Sequence, residues 1–443
     1  MFLFGKCLDQ KYRNLYLTLE QSFADLKGIV MQDDFATDLD ISSLCERFVL
    51  RSEKGPMVPR EIHFSMLSMP PFWQVVPSYA DMGEIQYQGR VRGRVFFKKP
   101  FEKHCVDSVA WLDRGIIRRR DYYNRYGNIS YSIYFNEKGL PVTKSYYDSN
   151  MVEMISYDYD TDSFTTFENG RVKGAYEKKE DFLVRLLMEL LADDEQVIVA
   201  SLELYQWLVS FEILRTDNCL LVLDSKEDVL AWNECIANRV ENKTDPVQRI
   251  PKCLVMNNAD TNGLPAEYKE KCQLVNYYAG LVCNRKKKSA LILTMSDQIP
   301  SLEDLIREFP DISFHVAANT AVSEKLAALS NYQNAFIYPQ IAENELERLL
   351  SQCALYLDIN NGYEIFDAIA TASIMSLVIC GYETTLHNRA YVLDECVFRD
   401  EAEMKVFLQS IFAGNQLQEL RNCQYKKNEK WCDRIKSIVE GEK

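Results

Sequence analysis

The sequence predicts an α/β protein in which two parallel β-sheets, each covered by helices, flank an inserted antiparallel β-meander. Three observations lead to this prediction. Apolar strands alternate with helices after residue 181, and they do so again from residue 290 to residue 380, which is typical of parallel sheets buried on both faces. Between residues 84 and 176 the pattern changes to short alternating runs separated by turn residues, which indicates antiparallel hairpins.

The composition is that of an ordinary globular protein of 443 residues, with 47% hydrophobic and 26% charged residues. At about 150 residues per domain, two or three domains are expected. No apolar run approaches the roughly 18 residues of a membrane span. The segment from Met1 to Cys7 is too short, and too soon interrupted by charge, for a secretory signal. We therefore expect the protein to stay in the cytoplasm.

A net charge of -14 argues against nucleic acid as the main partner, because phosphate binding needs a basic surface. Basic residues are clustered only locally, at 118–120 and 285–288. Two interpretations of these clusters stay open. They are either a solvated surface and a linker, or contacts with an anionic membrane surface or a partner.

Cysteine and histidine give no metal signature. The thirteen cysteines are scattered without a C-x-x-C pair, which indicates apolar core residues in a reducing compartment rather than disulfides or zinc ligands. The four histidines, His63, His104, His315 and His387, are too dispersed in sequence to propose a metal site. We expect no metal and no cofactor.

The first half of the chain divides into three predicted parts. Residues 1–80 begin a first Rossmann-like domain, with a helix at 11–26 and a strand at 28–31. Residues 81–178 form the inserted meander domain. Residues 179–285 return to the first domain, with polar loops at 243–252 and 257–269.

The second half repeats the alternation of strands and helices. Residues 286–415 are predicted to form a second Rossmann-like domain, and residues 416–443 a helix that packs back across the domains. Within the second domain the predicted strands are 290–293, 312–316, 335–338, 354–357 and 377–380, and the predicted helices are 302–308, 322–329, 343–352 and 363–373.

Tyrosines are unusually frequent in the meander. Their amphipathic rings suit a partner-facing sheet, but cross-strand pairs in a solvated sheet explain them equally well. On the first interpretation, Tyr131 and Tyr157 are candidates for exposed rings at a subunit interface.

Residues 356–369 run from a short apolar strand through a polar, glycine-containing turn into a predicted helix. Such a junction presents backbone N–H groups and the positive end of the helix dipole to a ligand. Its polar side chains include Asp358, Asn360, Asn361 and Glu364, and His387 follows the next predicted strand. These five residues are the candidates for a binding site.

The order of these parts resembles the GtfB family, the glycosylation chaperones of the accessory Sec system. The motifs that carry the resemblance are residues 119–123 and 139–143 in the meander and residues 292–299 in the second domain, and its more specific parts are 355–365 and 383–389. The resemblance covers nearly the whole chain. It implies the GT-B-like glycosyltransferase architecture of two Rossmann-like domains.

The resemblance also implies a non-catalytic role. Members of this family pair with a GtfA-type catalytic subunit, as a 2:2 heterotetramer, and stabilise it. They help it recognise serine-rich repeat adhesins, to which the pair attaches N-acetylglucosamine on Ser and Thr before export. The resemblance further implies a peripheral location at the inner face of the cell membrane, and no catalytic residue in this chain.

The sequence departs from active retaining relatives of this fold in two places. Those enzymes carry two glutamates separated by seven residues, whereas eight positions on from Glu364 stands Ala372, and eight positions back from Asp367 stands Ile359. The turn at 294–297 offers no Arg or Lys, and Asp297 would repel a donor diphosphate. Both departures favour the chaperone hypothesis.

Two other hypotheses stay open. The first is an active retaining GT-B-type glycosyltransferase that uses a UDP-sugar, with Asp358, Glu364 and Asp367 as its acidic residues. The second is an unrelated sugar- or nucleotide-sensing protein. On the chaperone hypothesis, Asp358, Asn360, Asn361, Glu364 and His387 line a cleft that binds the acceptor polypeptide, because carboxamides both donate and accept hydrogen bonds. Glu364 and Asp367 could instead be charges at a helix N-terminus that the helix dipole favours, and His387 with Asn388 could merely hold a loop.

Overall fold

A computed structural model describes residues 1–32, 39–51, 59–98, 101–191, 195–214, 219–241, 251–256, 271–277, 288–412 and 416–440. The described residues form a seven-stranded parallel sheet, a ten-stranded antiparallel sheet and a six-stranded parallel sheet. The predicted fold class is confirmed.

The amino-terminal stretch begins the first parallel sheet. It contains β1 (Phe2–Gly5), α1 (Gln10–Glu20), β2 (Lys27–Val30), β3 (Ile41–Ser43) and α2 (Leu44–Leu50). The carboxylate of Asp9 accepts a hydrogen bond from Tyr12 N at 2.8 Å and so begins α1. A Cβ atom at Gly5 would lie 2.3 Å from the Tyr12 ring, so the glycine lets α1 pack closely on the end of β1.

The antiparallel sheet is a meander in which each strand pairs with its sequence neighbours. Positive φ at Gly89, Gly115, Gly139 and Gly170 fits the tight turns between its hairpins. Its strands are β4 (Gln74–Pro77), β5 (Met82–Tyr87), β6 (Arg90–Phe97), β7 (Val106–Asp113), β8 (Ile116–Tyr123), β9 (Ile129–Phe135), β10 (Pro141–Tyr147), β11 (Glu153–Asp158), β12 (Ser163–Glu168) and β13 (Arg171–Tyr176).

After the meander the chain returns to the first parallel sheet. The sheet has the order β17, β16, β15, β14, β1, β2, β3, so β1 pairs with a strand almost 200 residues further along, Leu3 opposite Ile198. The returning elements are α3 (Lys179–Leu190), β14 (Val197–Val199), α4 (Leu202–Ser210), β15 (Cys219–Leu223), α5 (Lys226–Glu241), β16 (Lys252–Met256) and β17 (Cys272–Val275).

The second parallel sheet has the order β20, β19, β18, β21, β22, β23. Its strands β18, β21 and β22 are fully buried apolar runs, as expected of a sheet covered on both faces. The elements are β18 (Ser289–Thr294), α6 (Leu302–Glu308), β19 (Ser313–Ala318), α7 (Glu324–Ala328), β20 (Ala335–Tyr338), α8 (Glu343–Gln352), β21 (Leu355–Asp358), α9 (Ala368–Ile374), β22 (Val378–Tyr382), β23 (Val397–Phe398), α10 (Glu401–Ile411) and α11 (Gln416–Glu440).

The terminal helix α11 contacts both halves of the chain. Gln424 on α11 donates a hydrogen bond to Leu377 O at 2.9 Å, beside β22 of the second sheet. Lys252 on β16 of the first sheet donates to Ile438 O at 2.8 Å. The helix therefore bridges the two parallel sheets, while the domain borders at residues 80, 178, 285 and 415 stay predictions.

Several local expectations are corrected by the structure. The strands β1 and β3 and the helix α2 were not predicted, because they are short and lie outside the regular alternation of strands and helices that marks the later parts of the chain. The helix expected at 363–373 begins only at Ala368, since Phe366 and Asp367 have φ values of 57° and 49°. Most of the loops expected at 243–252 and 257–269, and most of the basic run 285–288, lie outside the described residues.

Within the described ranges, no helix is long and apolar enough to cross a membrane. Nor do His, Cys, Asp or Glu side chains in those ranges gather in a group of three or more that could hold a metal ion. The cysteines that the structure describes are free thiols, and most of them are buried.

Candidate functional site

The carboxyl ends of the two parallel sheets meet in a hydrogen-bonded seam. Asn14 on α1 donates from Nδ2 to Asp367 Oδ2 at 2.8 Å and to Thr371 Oγ1 on α9 at 3.1 Å. Tyr277, which follows β17, donates from its backbone N to the Tyr391 hydroxyl at 2.7 Å. We call these five residues the seam. Ligands of doubly wound folds bind beside such strand ends, so this is the place to look for a site.

Asp358 ends β21 at the centre of this region and is completely buried. Its Oδ2 accepts a hydrogen bond from the backbone N of His387 at 2.7 Å, and its Oδ1 lies 2.6 Å from His387 Nδ1. The hydrogen bond with Asp358 raises the pKa of His387 to about 9, against the opposing effect of burial. His387 is therefore an imidazolium at neutral pH.

The other ring nitrogen of His387 is also occupied. Its Nε2 donates to Gly362 O at 2.8 Å. Asn360 is buried and holds the same turn, because its Nδ2 donates to Leu293 O at 3.0 Å and its Oδ1 accepts from Gly362 N at 2.9 Å. Asp358, Asn360 and His387 thus fix the backbone of the turn that follows β21.

The side chains that this turn presents to solvent are different ones. Asn361, Tyr363 and Glu364 are exposed, and 82% of Tyr363 is accessible. The carboxylate of Glu364 bends toward α9, where its Oε1 accepts from Ile369 N at 2.8 Å. Loss of water around that carboxylate raises the pKa of Glu364. Glu364 caps α9, a task that Asp367, the residue before the helix, does not perform.

Asp367 faces the first parallel sheet instead of its own helix. Burial raises the pKa of Asp367 to about 7, and the nearby carboxylates of Asp224 and Glu364 act in the same direction. The hydrogen bond from Asn14 and the charge of Lys11 oppose this rise. The carboxyl group of Asp367, a member of the seam, is therefore partly protonated near neutral pH.

Asp224, which directly follows β15, is a second acid that acts on the Asp367 carboxyl group. Lys11 Nζ lies 3.0 Å from Asp224 Oδ2, and the hydroxyl of Tyr277 donates to Asp224 Oδ1 at 2.8 Å. Burial raises the pKa of Asp224 even though Lys11 lowers it. Lys11 is the base that acts on both of these acids, and it is already paired with Asp224.

The turn after β18 offers no phosphate clamp. Thr294 closes it, since its hydroxyl donates to Ser296 O at 2.6 Å and accepts from Ser296 N at 2.9 Å. In the loop that follows β22, Arg389 donates from Nη1 to Val392 O at 2.6 Å and pairs with Asp394. The guanidinium nearest in sequence to His387 is therefore used within its own loop.

These contacts change the roles expected from the sequence. Direct contact of Asp358 and Asn360 with an acceptor is a wrong expectation, because both side chains are buried and bonded within the chain. His387 likewise holds the loop through both ring nitrogens. Asn361 and Glu364 are accessible and stay candidates.

The two meander tyrosines also need correction. Tyr131 is buried, stacked on Tyr122 with ring centroids 4.5 Å apart, in the core between the meander and the first parallel sheet. It was expected to be exposed, which is wrong. Tyr157 is partly exposed, packs on Phe164, and donates from its hydroxyl to Asp162 at 2.6 Å. The interface role of Tyr157 stays a prediction.

Sequence reasoning missed Lys11, Asn14 and Asp224. Asn14 lies in an ordinary amphipathic helix and contacts a residue 353 positions further along the chain. One signal was available: Asn14 and Thr18 are polar at positions where the helical period of α1 predicts a buried face, and both are buried.

Two parallel sheets whose carboxyl ends meet, with a third sheet inserted in the first, define a glycosyltransferase-like chain of the GT-B architecture. Comparison with known families agrees. Residues 73–176 match the GtfB middle domain, and residues 290–424 match the GftB/GlyA-F C-terminal domain.

Curated relatives match over the whole length. A UDP-N-acetylglucosamine--peptide N-acetylglucosaminyltransferase stabilizing protein GtfB of Streptococcus agalactiae is 26% identical, with 100% of this chain and 99% of the relative covered. The protein of the same name from Streptococcus parasanguinis is 27% identical, with 88% of each chain covered. The chain is therefore similar to GtfB proteins over its length, and both family models that match it carry the GtfB name or its variant.

Solved structures show the same fold. A GtfA/B complex bound to UDP and GlcNAc contains a chain with a TM-score of 0.59 and 22% identity, which covers 100% of this chain and 99% of that one. The pneumococcal O-GlcNAc transferase GtfA, in complex with UDP and GlcNAc, gives a TM-score of 0.60 at 13% identity, with coverages of 99% and 98%. The fold is thus shared with a chain named for catalysis, so the fold alone does not decide between a catalytic and a non-catalytic role.

Proposed function

We propose that this chain is a non-catalytic subunit that stabilises a GtfA-type O-linked N-acetylglucosamine transferase. The observation that carries the proposal is the whole-length match to relatives named as stabilizing proteins of that transferase. The cleft supports it, because Asp358, Asn360, His387 and Asp367 are all engaged by the chain's own groups. A transferase needs charged groups that are free to stabilise the leaving diphosphate.

The chain also contributes to acceptor recognition in this proposal. The acceptor is a serine-rich repeat polypeptide, an adhesin exported by the accessory Sec system, which is modified on Ser and Thr. At the cleft, the exposed Asn361 and Glu364 offer a carboxamide and a carboxylate to its hydroxyl groups. Asp358, Asn360 and His387 act as positioning residues that hold the backbone of this turn.

Assembly and location follow from the same role. We propose a 2:2 heterotetramer with the catalytic subunit, at most peripherally associated with the inner face of the cell membrane. The molar mass of the purified complex by light scattering tests the first statement. Flotation of the complex with vesicles containing anionic lipid, compared with neutral vesicles, tests the second.

Co-production with a GtfA-type subunit tests the main proposal. The catalytic subunit should be obtained in higher soluble yield, and should melt at a higher temperature, when this chain is present, because binding to the folded state stabilises it. Equal yield and equal melting temperature with and without this chain would sink the proposal.

A further inference from the structure

A second polar recess lies where the meander meets the first parallel sheet, and it shares no residue with the seam. It is a cavity of about 270 Å³. One wall contains Asp40, Ser42 and Glu46, and the other contains β8, β9 and the loop that joins them, with Lys98 and Asp107 beside them. We call it the junction cavity.

Arg125, in the loop between β8 and β9, points to a ligand in this cavity. Its Nε and Nη1 atoms are buried, and neither has a hydrogen-bond acceptor. The Oδ1 atom of Asp40 is 3.8 Å from Nη1, beyond hydrogen-bond distance, and it accepts from Arg47 Nη2 at 2.8 Å. Buried donors without an acceptor are destabilising, so a bound group that accepts from Arg125 would relieve that cost.

Charge disfavours a sugar nucleotide in this cavity. Ligand pockets for small molecules usually measure about 300 to 1,000 Å³, so this cavity holds only a short piece of a larger ligand. Its lining carries the acids Asp40, Glu46 and Asp107 and the bases Lys98 and Arg125. Arg47, which binds Asp40, adds a third base, so the formal charges of the three acids and the three bases cancel. A site without net positive charge disfavours a diphosphate.

The tyrosine rings disfavour a pyranose. Tyr122 and Tyr131 cover one another, with centroids 4.5 Å apart, and Lys144 Nζ lies 4.1 Å from the centroid of Tyr131. Ring faces of Tyr122 and Tyr131 on which a sugar would stack are therefore used within the protein. What the cavity offers is N–H donors, carboxylates and hydroxyl groups.

We propose that the junction cavity binds a short extended segment of an uncharged, hydroxyl-rich polypeptide. Arg125 donates to backbone carbonyl oxygens of that segment, and Asp107 accepts from its Ser or Thr hydroxyls. The inference rests on the proposed function, because the acceptor polypeptide has this chemistry. It adds a second binding point at Arg125, which lies about 230 residues before Asn361 of the cleft turn in the sequence. A repetitive chain can reach both.

The test measures binding of a labelled synthetic peptide of serine, threonine and alanine to the complete complex by fluorescence anisotropy. Arg125→Met keeps the side-chain stem and removes the donors, and binding should weaken about tenfold, as expected for a hydrogen bond to a charged group. Tyr126→Phe, also in the cavity wall, removes one hydroxyl group and should weaken binding about threefold. Arg92→Met is the matched control, because Arg92 Nε is also buried without a partner but lies outside the cavity.

The outcomes separate this inference from the proposed function. Weaker binding by both cavity variants, with Arg92→Met unchanged and all melting temperatures retained, supports the inference. Equal binding by folded Arg125→Met and Tyr126→Phe complexes overturns it and leaves the proposed function standing. Displacement of the peptide by free N-acetylglucosamine overturns the ligand class. Absence of peptide binding by the unaltered complex overturns the acceptor role itself.

Discussion

Two aspartates on either side of the same turn are shielded from water but have different partners. Asp358, which ends β21, faces the imidazolium of His387 at 2.6 Å. Asp367, which precedes α9, faces the neutral carboxamide of Asn14 at 2.8 Å. A charged partner compensates for loss of water around a carboxylate, whereas a carboxamide compensates only in part. The pKa of Asp367 accordingly rises to about 7.

The two groups give stability in different pH ranges. The pKa of His387 in the folded protein is about 9, above its unfolded value, so this contribution is complete below about pH 6.5 and is lost as the pH rises through 9. Asp367 also holds its proton more tightly when folded. Its contribution is therefore complete below about pH 4 and falls between about pH 4 and pH 7.

Removal of the charged partner should have the largest effect. His387→Ala leaves Asp358 buried without its cation and should lower the free energy of unfolding by about 3 kcal/mol at pH 7, measured by urea denaturation. His63→Ala is the control, because the His63 ring hydrogen-bonds to Ser65 and packs on Phe64 and His104 without pairing with a buried carboxylate, and its effect should stay below about 1 kcal/mol. If His387→Ala lowers the free energy of unfolding no more than the control does, the charged pair does not stabilise the protein as stated.

Neutralisation of the second aspartate should have a smaller effect of the opposite sign. Asp367→Asn retains an oxygen that accepts from Asn14 and cannot ionise, so the variant should be more stable than the parent by about 2 kcal/mol at pH 8. Between pH 4 and pH 8 its unfolding free energy should also vary less. Some pH dependence of the unfolding free energy should remain, because burial also raises the pKa values of Asp224 and Glu364. A variant less stable than the parent at pH 8 would contradict the partly compensated burial of Asp367.

Loss of the neutral partner should have the smallest effect. Asn14→Ala removes one hydrogen bond to Asp367 and should lower the unfolding free energy by about 1 kcal/mol while raising the pKa of Asp367 further. Gln10→Ala is a matched control on the same helix, since its amide donates to Asn14 and does not reach Asp367. NMR titration of the Asp367 carboxyl carbon would decide the point, and an unchanged pKa in Asn14→Ala would count against it.

Much of the fold could be predicted because apolar strands and helices alternate regularly along the second half of the chain. The helices α6 and α8 were predicted with the bounds that the structure gives, 302–308 and 343–352. The strand β1 was missed, although it is central in its sheet, because four apolar residues at a chain end carry no periodic signal. Its partners β14 and β2 come from distant parts of the sequence.

The candidate site could be located from the sequence, but its internal contacts could not. The junction of a strand end, a polar turn and a helix marks the position of Asp358 and Asn360. Nothing in the spacing shows that their side chains bond back to Leu293 and His387. Asn14 comes next to Asp367 only through the meeting of the two sheets. The local pattern of α1 indicates that Asn14 is buried, but it could not have predicted the contact with Asp367.

A transfer assay tests the central claim, that this glycosyltransferase-like fold serves as a non-catalytic subunit. The purified chain, alone and together with a GtfA-type subunit, is incubated with labelled UDP-N-acetylglucosamine and a serine- and threonine-rich peptide. The account predicts no label on the peptide above a buffer control with this chain alone, and transfer once the catalytic subunit is added. Transfer by this chain alone that is abolished by Glu364→Ala would contradict the account and establish an active glycosyltransferase.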